Sequence, residues 1–178
     1  MFDKTRFIGF LMITLCVLSC KKEKAKTFTS ADIYSRFCIN HSASYFNVPP
    51  GMVSLFLDES KKGNKELKDL LGNVDQLSFL IINKNSNVSK DCLNYRELNE
   101  RLDSINFCDI AQINNGKEFI RVKVEKDRKH FNELVVLVSN HDALYCISFK
   151  GKIPSKKVLN LVKPENVVAV TNLDRFKQ

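Results

Sequence analysis

The chain has 178 residues, 28 lysines and arginines against 20 acidic residues, and a formal charge of +8. Its lysines are scattered and its arginines few, so the basic stripe interleaved with aromatics that marks a nucleic-acid binder is missing, and no nucleic-acid partner is expected. Isolated glycines (Gly63, Gly72, Gly116, Gly151) make no phosphate-cradling loop, and no Cys-x-x-Cys pair is present, so neither cofactor nor metal is expected.

The first 20 residues have three parts: a positive start at Lys4 and Arg6, an apolar run from Phe7 to Leu18, and Ser19-Cys20 before Lys21-Lys22. That is the pattern of an export signal. The apolar run is 12 residues long, whereas a spanning helix needs about 20, so a permanent transmembrane helix is not expected. Val17-Leu18-Ser19-Cys20 resembles the bacterial lipobox: an aliphatic residue at minus three, a small one at minus one, then cysteine. Leu15 before Cys16 is too large for that cleavage pocket. Cleavage between Ser19 and Cys20 would make Cys20 the lipidated first residue; ordinary cleavage leaving Cys20 a thiol is the alternative. One acyl chain binds a bilayer marginally and each buried CH₂ adds about 0.8 kcal/mol, so two or three chains anchor permanently.

The expected organisation is a signal peptide at 1–19, a lysine-rich tether at 20–29 and one folded domain at 30–178. Losing Lys4, Arg6 and Asp3 with the leader lowers the charge from +8 to +7. Lys21, Lys22, Lys24 and Lys26 against Glu23 hold +3 of it, leaving the domain near +4. A flexible tether of this length spans roughly 16 Å and keeps the domain close to the membrane. Export permits disulfides. The cysteines of the domain, Cys38, Cys92, Cys108 and Cys146, are expected as buried free thiols, with one disulfide as the alternative.

Along the domain, Ile33, Tyr34, Phe37 and Cys38 recur at helical spacing, although residues 30–48 are poorly patterned. Pro49-Pro50-Gly51 excludes helix up to that point, and Met52, Val53, Leu55 and Phe56 then make an apolar face. Leu67, Leu70 and Leu71 predict a second short helix capped near Gly72. "QLSFLIIN", 76–83, reads as a central strand. Tyr95, Leu98, Leu102 and Ile105 predict an amphipathic helix over 91–105. The stretch 107–151 reads as two hairpins, one across Asn114-Asn115-Gly116 and one across Asn140-His141-Asp142. In the first, Ile120, Val122 and Val124 alternate with Arg121, Lys123 and Glu125, which predicts one buried and one wet face. Pro154-Ser155 opens a last helix through Val158, Leu159 and Val162, and "NVVAVT" reads as an edge strand. The expected fold is α+β: a two-layer, mostly antiparallel sheet of 4–6 strands (the meander 107–150 plus strand 76–83) with helices on one face.

This order of lipobox, proline-led "LF" helix, "FLIIN" strand, amphipathic helix, "FIRVKVEK" and "ELVVLVSNHDALYCISFKGKI" resembles the domain of unknown function 4252 family of Bacteroidota lipoproteins over roughly 30–165. The resemblance implies an exported, lipidated α+β module. It supplies no catalytic residues.

The chemistry is sparse. Ser139, His141 and Asp142 in one line are turn residues rather than a triad, whose members converge from separated positions. Asp58-Glu59 before Lys61-Lys62 reads as a solvated helix end. Asp103-Ser104-Ile105 resembles an O-glycosylation acceptor of Bacteroidota, with Ser104 the modified residue. No catalytic residues are assigned. The expected function is a non-enzymatic binding or scaffolding lipoprotein of the cell envelope, held to the membrane through lipid on Cys20, with an envelope protein or peptide as partner. Outer membrane facing the periplasm is favoured by Lys-Lys-Glu-Lys after Cys20; inner membrane and cell surface are the other locations. Alternatives are a small-ligand or polyanion binder, and a hydrolase assembling a Cys or Ser with His41, His130 or His141.

Overall fold

The computed structural model describes residues 28–83, 88–126 and 130–173, excluding the side chains of 88–92 and 126. Helix α1, Ser30–Asn40, opens on a capping box: the Thr29 hydroxyl accepts from the Asp32 amide, and the Thr29 amide donates to the Asp32 carboxylate at 2.9 Å. It buries Ile33, Tyr34 and Phe37. Strand β1, Ala43–Val48, ends at Pro49, and Pro50 opens the short α2, Pro50–Leu55. Helix α3, Asn64–Leu71, follows a left-handed Gly63 at φ 80°. A Cβ there would collide with the Asn166 carbonyl oxygen, so this close crossing admits only glycine.

Strand β2 is Gln76–Asn83 and helix α4 is Val88–Asp103. A turn with Asn106 at φ 72° leads into β3, Phe107–Asn114; asparagine tolerates that conformation. Strands β4, Phe119–Lys126, β5, Phe131–Ser139, and β6, Ala143–Ile153, complete a meander. Helices α5, Ser155–Leu161, and α6, Pro164–Thr171, end the described chain.

The six strands form one sheet in the order β1-β2-β6-β5-β4-β3, every neighbouring pair antiparallel. Helix α4 carries the chain from β2 to the far edge, and the meander returns until β6 pairs with β2. The α+β class, the antiparallel sheet, strand 76–83 and both hairpins are those expected. The layering differs. Leu77, Phe79, Leu134, Val136, Ile147 and Phe149 pack with α2, α3, α5 and α6, while Leu80, Ile82, Val135, Leu137 and Cys146 pack with α1 and α4. Helices therefore cover both faces, because the central strands are apolar on both. Two further expectations are corrected. "NVVAVT" belongs to helix α6, with Pro164 at its first turn and Glu165 beside its positive end. The vague stretch before Pro49 contains the edge strand β1.

Candidate functional site

The face under α1 and α4 carries the polar chemistry. One row of paired residues crosses the sheet at the end where α1 begins: Phe107 opposite Glu125, Glu125 opposite Glu133, Glu133 opposite Lys150, and Lys150 opposite Gln76. Glu133 is 3% exposed. Ser30 of α1 donates to its Oε2 at 2.7 Å and Ser148 of β6 to its Oε1 at 2.5 Å. Burial raises the Glu133 pKa; the two hydroxyls, which favour the anion, only moderate it. This arrangement fastens the first turn of α1 to β5 and β6.

Behind Glu133 sit Tyr34 and Cys146. Burial pushes the Cys146 thiol up to about 12 and raises the Tyr34 phenol well above its ordinary value. The Tyr34 oxygen has no partner at hydrogen-bonding geometry, although Cys146 and Ser148 are among its neighbours. In front of Glu133 is a cavity of about 150 Å³. Phe28, Ile105 and Phe107 form its apolar wall, and Thr29, Ser30, Glu125, Glu133 and Lys150 its polar one.

A second cluster lies one row further along. Lys123 is fully buried and donates to Asp103 and Asp109, each at 2.6 Å. Arg121 donates to Asn99 at 3.0 Å, approaches Asp109 at 3.7 Å, and lies over the Tyr95 and Phe119 rings. Burial pushes the Tyr95 phenol to about 12. The face expected to be wet is thus covered: α4 lies over Lys123, and two carboxylates neutralise it.

The residues singled out from sequence do not converge. His41 stacks on Phe37 and meets Glu97 at 3.4 Å, so it joins α1 to α4. His141 is 99% exposed in the β5–β6 turn, 3.2 Å from Asp142. His130 stands before β5, whose start pairs with Ile153 at the opposite end of the sheet from that turn. Asp58 and Glu59 are exposed; Ser60 hydrogen bonds lower the Asp58 pKa and Lys68 lowers that of Glu59. Ser104 is exposed after α4 and donates to the Arg101 carbonyl at 2.6 Å. Cys38, Cys108 and Cys146 are free thiols; burial raises the Cys38 pKa. Ser19, Cys20 and the Cys92 side chain lie outside the described residues. Among the described residues no group of three His, Cys, Asp or Glu could hold a metal ion, and no helix is long and apolar enough to cross a membrane.

A family model described as Domain of unknown function (DUF4252) matches residues 37–161. The chain belongs to this family. The DUF4252 match, from Phe37 to Leu161, includes Lys123, Glu125, Glu133, Cys146, Ser148 and Lys150, while Phe28, Thr29, Ser30 and Tyr34 precede it. The chain is also similar to the S-adenosylmethionine:tRNA ribosyltransferase-isomerase of Prochlorococcus marinus (strain AS9601), 35% identical over 82 residues. That likeness covers 46% of this chain and 21% of the relative, so the chain spans about a fifth of that protein's length. No solved structure matches the DUF4252 chain.

Glu133 and Lys123 were not singled out by sequence reasoning. The available signal was a charge inside or bordering an apolar strand: Glu133 heads "ELVVLVS", and Lys123 sits between Val122 and Val124.

Proposed function

We propose that this chain is a lipid-anchored module of the bacterial cell envelope that works by binding rather than by turnover. The observation that carries the reading is Val17-Leu18-Ser19-Cys20 after an apolar run too short to span a bilayer. Cys20 stands ten residues before Ser30, the first residue of α1. A lipidated Cys20 would therefore hold the domain near the surface, and the lysines at 21–26 would favour anionic headgroups by about 1 kcal/mol each. The same lysines favour the periplasmic side of the outer membrane. Strands β1 and β3 are the two edges of the sheet, where an extended peptide of an envelope protein can add as a further strand. On this reading Ser104 is also a glycan acceptor. The likeness to the ribosyltransferase-isomerase covers too little of either chain to bring that activity here.

Expression of the full chain in a bacterial host, with Cys20→Ala beside it, tests the anchor. The parent should pellet with membranes and leave them only with detergent, while the variant should stay unprocessed or move to the soluble fraction. A parent chain found free in the soluble fraction would overturn the reading.

A further inference from the structure

We propose that the cavity at the start of α1 takes a small zwitterion, a free α-amino acid with a compact apolar side chain; this rests on the reading of the chain as a binding module and names its ligand. Glu125 and Glu133 stand directly opposite each other on β4 and β5. Like charges so placed destabilise a sheet, and breaches of such local rules gather at functional sites. Glu133 is already satisfied by the Ser30 and Ser148 hydroxyls. Glu125 is half-buried, faces the same cavity, and makes no ion pair or side-chain hydrogen bond among the described residues. Lys150, on the far side of Glu133, is exposed, lines the cavity and makes no direct ion pair or side-chain hydrogen bond among the described residues, although its charge acts on Glu133.

Glu125 and Lys150 thus stand two strands apart, about 10 Å between backbones, with the occupied Glu133 between them. A carboxylate and an ammonium that share a cavity without closing on each other leave room for a guest that answers both. Its ammonium would meet Glu125, its carboxylate would meet Lys150, and Phe28, Ile105 and Phe107 offer an apolar wall to its side chain. The cavity volume of about 150 Å³ matches a benzene-sized guest and is well below a drug-sized pocket.

Calorimetric titration of the full chain at pH 7 with L-valine, isobutylamine and isobutyrate tests this. Valine should bind saturably at one site, and each singly charged probe at least ten-fold more weakly. Glu125→Gln and Lys150→Gln, at half-buried and exposed positions, should each weaken valine at least ten-fold while the melting temperature holds. No saturable valine binding, either singly charged probe binding as tightly as valine, or undiminished valine affinity in both variants would overturn the proposal. Loss of the anchor is read separately, from membrane fractionation.

Discussion

Glu133 is the residue at which folding and ionisation oppose each other. Its carboxylate is buried, and burial outweighs two donated hydroxyl hydrogen bonds, so the folded pKa lies above the ordinary value of about 4.3. A raised folded pKa means that the folded state holds the proton more tightly. The stabilising contribution is complete below the ordinary glutamate pKa and is lost as pH rises through the folded value. Glu133→Gln, which keeps the shape and removes the charge, should therefore raise stability at pH 7. It should also flatten the loss of stability between pH 4 and 7, read from urea midpoints across that range. A variant less stable than the parent at pH 7, with the pH slope unchanged, would show that the two serine hydrogen bonds outweigh burial. This residue was hard to read in sequence. The strand "ELVVLVS" was legible from its apolar run, but whether its first carboxylate meets water depends on where α1 docks, and α1 lies 103 positions away along the contact from Ser30 to Glu133.

At the scale of elements, local signals were legible in proportion to how local their causes are. The β3–β4 hairpin follows from Asn115-Gly116, with Gly116 at φ 82°, and β2 from eight residues bounded by polar ones. Helix α6 was missed because an apolar run of valines suits a strand by composition. Its start, Pro164 followed by Glu165, was the better guide. The wet face predicted for β4 failed because alternation reports which side chains share a face and not what covers that face. Lys123 shows the consequence: it staples α4, through Asp103, to β3, through Asp109. The two aspartates are about half exposed while the lysine is fully buried, so the two sides of the staple should respond unequally. Asp103→Asn with Asp109→Asn strands a buried ammonium and should cost roughly 3–5 kcal/mol. Lys123→Met returns two carboxylates to water and should cost about 1 kcal/mol or less. Equal losses in urea titrations would contradict this. Gly63→Ala should cost about 1–3 kcal/mol, because the crossing of Gly63 with α6 leaves no space for a methyl group; an unchanged midpoint would contradict the close approach.

For the whole molecule, the α+β class and the meander were legible, and the three-layer arrangement was not. The apolar runs 77–82, 134–138 and 143–149 are buried from both sides, a property visible in their lack of alternation. The candidate site was not legible, since its row of Glu125, Glu133 and Lys150 is assembled by strand order: β6 lies between β2 and β5 only because α4 carries the chain to the far edge. The proposed function rests instead on the other end of the chain, where chemistry is written in consecutive residues. The most direct test is the intact mass of the full chain extracted from bacterial membranes. The account predicts a chain beginning at Cys20, heavier than its peptide mass by a diacylglycerol and an amide-linked acyl group. A mass corresponding to a bare Cys20, or to residues 1–19 still attached, would contradict it.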